Sequence, residues 1–522
     1  MFRFIGHSLR LARAGWVMAR EGVFAGVDPT ILPASARIPL ALANLIARKN
    51  ERGPQAGLAR AMVRLGPSYV KLGQFLATRP DVVGTKAALE LEKLQDRVPP
   101  FNKAIAVQIL EASFGRKLED VFIAFGEPIA AASIAQVHKA RVRDANGERE
   151  VAVKILRPGV ERRFRRDLGD MFFAARLAER QSTEAQRLRV VNVVETLARS
   201  VKMEMDFRLE AAAASEFAEN IADDPDFLIP TVDWDRTTKD VLTTQWIDGT
   251  PLSNIEALQS QGFDLPRLGR IVIQSFLRHA MRDGFFHADM HQGNLFVDAQ
   301  GRIVAVDFGI MGRLDPKERR FLAEILYGFI TRNYRRVAEV HFEAGYVPRT
   351  HRIDDFAQAI RAIGEPIHSH TADQISMAKL LTLLFEITAL FDMQTRTELV
   401  MLQKTMVVVE GVGRTLDPKL DMWGTAEPVV GDWIREKLGP KGILEDAGRS
   451  LAGLGALARQ LPSLMERAEV LSRQIEEAAA GGVPLSGRTV EALGQAEARR
   501  AAWGHAALWV IAALLAAGLY LK

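Results

Sequence analysis

Four short segments that contain charged or amide side chains follow one another along this chain, and together they constrain its fold more than any other feature. A lysine ends a β-branched run, acidic residues follow on a helical stretch, and a loop rich in His and Asp precedes a last aspartate. These segments are 151–154; Glu204, Asp206 and Glu210; 287–294; and 307–309. A phosphoryl-transfer site needs such parts, because a lysine binds nucleotide phosphates, one aspartate handles the acceptor's proton, and an asparagine and a second aspartate hold Mg²⁺. The order of the segments therefore predicts phosphoryl-transfer chemistry.

The third segment has the most specific spacing. Asp289 and Asn294 are five residues apart, the interval between the aspartate and the asparagine of a kinase catalytic loop. His287, Asp289 and His291 also alternate, and two histidines with a carboxylate form a set that can bind zinc or iron. The asparagine and the Asp-Phe-Gly sequence at 307–309 favour the phosphoryl-transfer interpretation over that metal site.

Composition narrows the class of protein further. The 522 residues allow roughly two to four domains. The absence of cysteine excludes disulfides, thiolate metal sites and cysteine nucleophiles. The net charge is only +4, so we expect no nucleic-acid partner. We interpret the basic run as a solvated face; it comprises Arg157, Arg162, Arg163, Arg165 and Arg166.

The pattern of apolar residues predicts a helix-rich α+β fold. Residues 1–110 are typical of helices, and the same texture returns at 160–220 and 316–417. Two runs with alternating apolar residues flank an Asn-Gly turn at Asn146, which predicts a β-hairpin whose second strand carries Lys154. Short strands between long helical stretches therefore predict a mixed protein rather than a helical bundle.

Both ends of the chain favour contact with a membrane. Residues 501–521 contain no formally charged side chain, and these 21 residues would span about 30 Å as a helix, which matches a bilayer's hydrocarbon core. We therefore predict a transmembrane helix at 501–522, with Arg499 and Arg500 placing the preceding domain in the cytoplasm. The basic amphipathic pattern of residues 1–22 favours either a helix on an anionic membrane surface or a helix docked on the domain.

Beyond these features, the chain resembles the UbiB family of atypical protein-kinase-like ATPases, which is linked to ubiquinone (coenzyme Q) biosynthesis. The resemblance extends over roughly residues 60–315. Its motifs are KxGQ at Lys71, Leu72, Gly73 and Gln74, the alanine-rich loop Ala130, Ala131, Ala132 and Ser133, VAVK at 151–154, ExD at 204–206, HADMHQGN at 287–294 and DFG at 307–309. KxGQ together with the alanine-rich loop separates this family from ordinary kinases. The resemblance implies a bilobal protein-kinase-like fold with a helical N-terminal extension.

The resemblance also implies a role for each matching residue. Lys154 contacts the nucleotide phosphates, with Glu204 or Glu210 as its acidic partner, and the sequence leaves that choice open. Asp289 occupies the position of the catalytic base. The implied Mg²⁺ ligands are Asn294 and Asp307, and the implied hinge that meets the adenine is Gln245, Trp246, Ile247 and Asp248.

Two features point away from routine protein phosphorylation. Ala130–Ala132 stand where kinases have glycines, and their β-carbons should change how the triphosphate is bound. Lys71 and Gln74 share one face of a helix, and the resemblance implies that this helix covers the peptide-binding region, with Lys71 near Glu204 and Asp206. The implied activity is ATP hydrolysis, or phosphoryl transfer to a small or lipid-associated acceptor, with Mg²⁺ and ATP or ADP as cofactors.

Two alternatives stay open: a protein kinase acting on a protein partner, and a nucleotide-binding pseudokinase scaffold for biosynthetic enzymes. The expected partners are membrane lipids and quinone precursors, then other ubiquinone-biosynthesis proteins and a second copy of the chain. The expected location is the inner (plasma) membrane of a bacterium. The expected domains are an N-terminal extension at 1–110, a kinase-like N-lobe at 111–250, a C-lobe at 251–437, a helical stalk at 438–500 and a transmembrane tail at 501–522.

Overall fold

A computed structural model describes most of the chain. The described residues are 2–24, 41–48, 57–77, 83–91, 94, 98–145, 147–181, 185–186, 189–368, 383, 386–387, 390–393 and 397–439. The chain divides into a first unit, Met1–Glu436, and a second, Lys437–Lys522, and the architecture below is that of the first. The predicted stalk beyond residue 439 and the predicted transmembrane helix at 501–522 lie outside the described residues. Among the helices that are described, none has the length and apolar character needed to cross a membrane.

Helices make up most of the fold, as the sequence predicts. In chain order they are α1 (Phe2–Arg20), α2 (Gly57–Leu65), α3 (Pro67–Ala77), α4 (Thr85–Leu91), α5 (Lys103–Phe114), α6 (Leu118–Val121), α7 (Val160–Gln181), α8 (Val190–Glu204), α9 (Phe207–Asn220), α10 (Ile255–Ser260), α11 (Leu265–Arg278), α12 (Pro316–Ile330), α13 (Tyr334–Glu343), α14 (Ile353–His368), α15 (Thr397–Leu416) and α16 (Met422–Lys437).

The strands form three sheets. They are β1 (Ala124–Ala131), β2 (Ala135–Asp144), β3 (Gly147–Leu156), β4 (Phe227–Leu228), β5 (Val241–Gln245), β6 (Gly249–Pro251), β7 (Phe285–His287), β8 (Leu295–Asp298), β9 (Ile303–Ala305) and β10 (Met311–Arg313). The first sheet has the order β1-β2-β3-β5, the second the order β4-β9-β8-β6, and β10 pairs with β7.

The predicted hairpin is confirmed as β2 and β3. The two strands pair in antiparallel register from Ala135 opposite Leu156 to Asp144 opposite Gly147. Because side chains alternate along a strand, Val151, Val153 and Ile155 are fully buried on one face, where they pack in one cluster with residues of α5. Lys154 consequently lies on the opposite face of the sheet.

The inner face of the N-terminal helix α1 is docked on the domain, as one of the two interpretations of its amphipathic pattern predicts. Ala14 and Val17 are buried. His7 and Arg10 both contact Asp170 of α7, a side chain that is almost fully buried. The outer face of α1 is exposed, since Leu9 and Trp16 are 60% and 47% accessible.

The helical texture of residues 160–220 corresponds to three helices, α7, α8 and α9. The break between α8 and α9 falls at Met205 and Asp206, where the Asp206 carboxylate accepts the N–H of Arg208 and caps α9. This break gives Glu204 and Glu210 separate helices, with different directions, instead of one continuous surface.

The larger lobe is built around a core of aromatic and aliphatic side chains. Helix α15 contributes Val409, Val412 and Leu416 to the same core as α11 and the second sheet. Gly413 allows the close packing, because a β-carbon there would lie 3.0 Å from Ile273 of α11. Helix α15 is therefore fixed against α11 and the core that it shares with the second sheet.

Candidate active site

Lys154 is placed by the register of the first sheet. It lies opposite Val137 of β2 and Leu242 of β5, two residues before the end of β3. Its side chain is only 16% exposed and its Nζ lies over the ring of Phe207, 5.4 Å from the ring centroid. A buried ammonium of this kind requires anionic partners.

Two carboxylates form ion pairs with the Lys154 ammonium. Glu210, in the first turn of α9, accepts from Lys154 Nζ at 2.7 and 3.0 Å through its two oxygens. Asp307 Oδ1 lies 3.1 Å from the same Nζ. The structure thus selects Glu210 over Glu204 as the partner of Lys154, and it brings together one cation with two acids.

The charges of this cluster perturb one another. Burial by itself would lower the pKa of Lys154, but Asp307 and Glu210 outweigh it and raise that pKa. Burial would likewise raise the pKa of Asp307, but the Lys154 ammonium holds it well below its usual range. Both groups are therefore ionised at neutral pH, and the Asp307 side chain is still 48% exposed.

The backbone at Asp307 has an unusual conformation that fixes its carboxylate. Its φ is +66°, in the left-handed region that favours glycine. Gly309 donates its N–H to Asp307 Oδ1 at 3.3 Å. Phe308 is buried against His287 and Phe217, with ring centroids 5.5 and 6.1 Å away. Strain of this kind occurs at functional sites where the surroundings enforce it.

The catalytic loop is held by its own side chains. His287 is fully buried, and its Nδ1 accepts the N–H of Asp289 at 3.0 Å. Asn294 Nδ2 donates to the Asp289 carbonyl at 3.0 Å. The imidazole Nε2 of His291 lies 3.6 Å from Asp289 Oδ2. Gly293 leaves room for the ring of His291, because a β-carbon would lie 2.9 Å from that ring. The Asp289 side chain is about one-third exposed, and its Oδ2 also lies 3.5 Å from Asn294 Nδ2.

The two predicted magnesium ligands lie at the same end of neighbouring strands. Asn294 immediately precedes β8 and Asp307 follows β9, and Leu295 pairs with Ala305 in the register of these strands. Asn294 uses its amide nitrogen on Asp289, which leaves the amide oxygen for a cation. Carboxylate and amide oxygens are the hard donors that Mg²⁺ prefers, and Mg²⁺ is commonly shared with substrate phosphates. The residues therefore fit the ion.

A zinc or iron site at the alternating His and Asp residues finds no support. His287 has its Nδ1 occupied by the N–H of Asp289. Within the part of the chain that the structure describes, no group of three or more His, Cys, Asp or Glu is arranged to hold a metal. The alternation reflects the fold of the loop.

The hinge residues divide into two kinds. The backbone N–H of Gln245 donates to the Thr231 carbonyl at 2.8 Å, and that of Trp246 donates to the Glu150 carbonyl at 3.1 Å. These two N–H groups are thus already used within the protein, and the role of the four hinge residues toward an adenine stays a prediction. A cavity of about 530 Å³ adjoins the hinge; it is lined by Asp144, Arg149, Glu150, Thr231, Val232, Gln245, Trp246 and Asp248.

The alanine-rich segment is a tight turn more than a loop. Ala130 and Ala131 still pair with β2, and Ala132 donates its N–H to the carbonyl of Ala135 at 2.8 Å. Ser133 is fully buried. Arg157 donates to the Ala132 carbonyl at 2.7 Å, so the interpretation of this arginine as part of a solvated face is wrong.

The KxGQ helix is α3, which packs against α7 and α8. Lys71 Nζ lies 2.5 Å from Glu204, and the two side chains are only 12% and 13% exposed. Asp206 instead caps α9 and pairs with Arg208, which lowers the pKa of Asp206. Gln74 is half-buried one turn beyond Lys71. Gly73 is required because a β-carbon there would lie 2.4 Å from Leu94.

An antiparallel sheet that carries a lysine, a helix glutamate paired with it, and a catalytic loop next to an Asp-Phe-Gly turn together define a protein-kinase-like fold and site. Comparison with known proteins agrees. Residues 93–341 match the ABC1 atypical kinase-like domain, and residues 360–421 match the UbiB helical domain.

Curated relatives cover most of the chain. A "Probable protein kinase UbiB" of Marinobacter nauticus is 39% identical over 477 residues, which are 90% of this chain and 84% of that protein. A protein of the same name from Azotobacter vinelandii is 40% identical over 424 residues, 80% of this chain and 78% of the relative. The solved complex of Rv3197 with erythromycin, from Mycobacterium tuberculosis, is 26% identical with a TM-score of 0.49, over 76% of this chain and 97% of that one. The chain belongs to the UbiB family.

Proposed function

We propose that this protein is an atypical kinase-like ATPase that supports ubiquinone biosynthesis at a bacterial inner membrane, with Mg²⁺ and ATP or ADP as its ligands. The observation that carries the proposal is the cluster of Lys154, Glu210 and Asp307. A lysine oriented by a helix glutamate and facing a half-exposed aspartate is the arrangement that phosphoryl transfer requires.

In this proposal the residues of the cleft act together on the nucleotide. Lys154 binds the inner phosphates, and Glu210 keeps its ammonium on the sheet face. Asn294 and Asp307 hold Mg²⁺, which supplies charge neutralisation on the phosphoryl group when it is bound. Asp289 orients the attacking water and takes up its proton at a carboxylate oxygen. The alanine turn replaces the flexible glycines and favours a fixed phosphate position.

The position of α3 favours hydrolysis or a small acceptor over a peptide acceptor. Tyr69, Leu72 and Phe75 of α3 pack against the buried cluster formed by α7 and α8. Lys71 and Glu204 exclude most water from their contact. In this proposal α3 takes up the space that an extended polypeptide substrate would need, as the family resemblance implies.

Exposed groups on α1 support the membrane part of the proposal. Leu9, Arg13 and Trp16 are exposed on one face, and Arg20 lies over the Trp16 ring at 4.9 Å. Apolar and aromatic side chains combined with arginines suit an anionic lipid surface. The uncharged segment at 501–521 would provide a second attachment to the bilayer that holds lipid quinone precursors.

The test is ATP hydrolysis by the full chain with Mg²⁺, with and without anionic liposomes and a quinone-precursor analogue. We expect hydrolysis that both additions stimulate and that Asp307→Asn abolishes. Asp226→Asn is the matched control, because Asp226 pairs with Arg267 at the surface away from the cleft. Hydrolysis that neither addition changes would contradict the lipid-linked part, and an inactive wild type would contradict the ATPase itself.

A protein kinase is the second candidate, because the relatives above carry that name. Labelled ATP would then transfer phosphate to a protein partner, and Asp289→Asn would abolish the transfer. A pseudokinase scaffold predicts instead that Lys154→Ala and Asp307→Asn leave quinone content normal in cells that lack the native gene.

A further inference from the structure

We infer that Thr405 of α15 is a positioning residue for the catalytic loop, so that the C-terminal helical region sets the conformation around Asp289. The catalytic consequence rests on the proposed function, whereas the positioning does not. Thr405 lies 116 residues after Asp289 in sequence and belongs to none of the kinase-like motifs.

The contact is direct and fully buried. Thr405 has no exposed surface, and its Oγ1 donates to the carbonyl of Ala288, the residue before Asp289, at 3.0 Å. Oγ1 also lies 2.8 Å from the carbonyl of Met401 in the preceding turn. The single hydroxyl proton therefore bridges the backbone of α15 and the backbone of the catalytic loop.

The backbone on either side of Asp289 is held from several directions. The four hydrogen bonds are Ala288 N–H to Ile310 O, Asp289 N–H to His287 Nδ1, Asn294 Nδ2–H to Asp289 O, and Thr405 Oγ1–H to Ala288 O. The first three donors and acceptors all belong to residues 93–341, the kinase-like domain. The fourth comes from residues 360–421, the helical domain, and it fixes the peptide group that orients Asp289.

Helix α15 and its neighbour α16 have the rigidity that such a contact needs. Val409 and Val412 are buried in the main core of the lobe. Gln274 of α11 donates to the carbonyl of Thr425, and Trp433 Nε1 donates to the carbonyl of Met281, at 3.0 and 2.9 Å. Thr405 is thus presented to the loop from a fixed support, as a precise functional site requires.

A threonine at this position needs a reason. Inside a buried helix a hydroxyl gains little from bonding to its own preceding turn, and valine has nearly the same shape. Removing the hydroxyl would leave the Ala288 carbonyl without this donor in a dry environment, and a buried unpaired carbonyl destabilises the local conformation. The loop would then relax, and Asp289 would lose its alignment.

The experiment compares Thr405→Val, which removes the hydroxyl, with Thr405→Ser, which keeps it. Thr415→Val is the matched control, since Thr415 bonds to the preceding turn of the same helix at 2.9 Å and is exposed. Hydrogen exchange of the peptide covering 285–294 is measured on the full chain, together with kcat and KM for Mg–ATP and the thermal midpoint.

For Thr405→Val we expect hydrogen exchange in this peptide to be about tenfold faster. We also expect kcat to be about tenfold lower, with KM within twofold of the wild-type value. A tenfold change corresponds to the free energy of about one hydrogen bond. Thr405→Ser should restore both, and Thr415→Val should change neither. Unchanged exchange in Thr405→Val overturns the inference whatever the enzyme does. The wild-type protein could also prove to hydrolyse no ATP. Faster exchange in Thr405→Val would then still support the positioning, and only the proposed function would be overturned.

If Thr405→Val lowers the thermal midpoint too far for assay, Thr405→Ala and Thr405→Ser are compared at a lower temperature. Equal exchange in these two variants would overturn the inference, because they differ in the hydroxyl. A kcat that returns to the wild-type value once it is divided by the folded fraction would also overturn the catalytic consequence, since loss of folded protein lowers the apparent kcat and leaves KM unchanged.

Discussion

Two lysine–carboxylate clusters lie at the two ends of one short connection, yet they differ in access. At the end of α8, Lys71 meets Glu204 at 2.5 Å, and both side chains are nearly buried. At the start of α9, Lys154 meets Glu210 at 2.7 Å and Asp307 at 3.1 Å, and Asp307 is half-exposed. The same chemical types therefore form a closed contact and an open one.

The difference shows how one kind of ion pair can serve two purposes. The Lys71 contact joins two helices that are far apart in sequence, and its exclusion of water strengthens the attraction. The Lys154 cluster contains an additional carboxylate, that of the half-exposed Asp307, which can contact Mg²⁺, while the Lys154 ammonium is the group that attracts nucleotide phosphates. Access to solvent, more than residue type, separates a structural contact from a candidate catalytic one.

The largest expected effect breaks the open cluster. Asp307→Asn should lower ATP hydrolysis about a thousandfold, or about 4 kcal/mol in activation free energy, because the half-exposed carboxylate would no longer hold the cation. Steady-state phosphate release measures this, with Asp226→Asn as the control. Hydrolysis within threefold of wild type would mean that the open carboxylate is not what distinguishes the two clusters.

The next effect concerns stability at the same cluster. Lys154→Met leaves Glu210 and Asp307 without their shared cation, and it should lower the free energy of unfolding by about 3 kcal/mol. Denaturant titration measures the change. The double variant Lys154→Met/Glu210→Gln should recover part of it, since the remaining carboxylate then has no like-charged neighbour. A double variant as unstable as the single one would argue against the charge explanation.

Acid sensitivity should arise in part at the open cluster, in addition to the buried His138, His279 and His341, whose pKa values burial also lowers. Burial lowers the pKa of His287, so the folded protein keeps this imidazole neutral below its ordinary value of 6.5 while the unfolded chain takes up a proton. Stability should therefore fall as the pH drops below 6.5, by up to about 1.4 kcal/mol per pH unit for this group. Unfolding titrations between pH 7.5 and 5.5 test the slope, which His287→Asn should reduce. An unchanged slope in that variant would assign the acid sensitivity elsewhere.

The last expected effect concerns the closed contact. Lys71→Met leaves the nearly buried carboxylate of Glu204 without its cation, so the free energy of unfolding should fall. The variant should also speed protease cleavage around α3, since this helix loses its bond to α8. Lys103→Met is the control, because Lys103 pairs with the exposed Glu127 on the surface. Equal cleavage rates in both variants would refute the proposed holding role of Lys71.

Much of the site could be predicted from the sequence because it depends on local patterns. The alternation of Val151, Val153 and Ile155 requires a strand with one buried face, so Lys154 must lie on the other. The spacing of Asp289 and Asn294 within one loop likewise fixes their proximity. Arg157 was not predictable as a support for the alanine turn, since its neighbours Leu156 and Pro158 give no sign that its side chain contacts the Ala132 carbonyl.

The sequence by itself determined which residues are available to the cleft and in which order they follow one another, because strand and loop patterns depend on neighbours a few positions away. Only the tertiary structure decided that Glu210 pairs with Lys154 and Glu204 with Lys71. The helix break that Asp206 caps gives the two glutamates different directions, and the packing of each helix then sets the partner. Contacts between distant elements, such as Thr405 with Ala288, follow from that packing and from no local pattern.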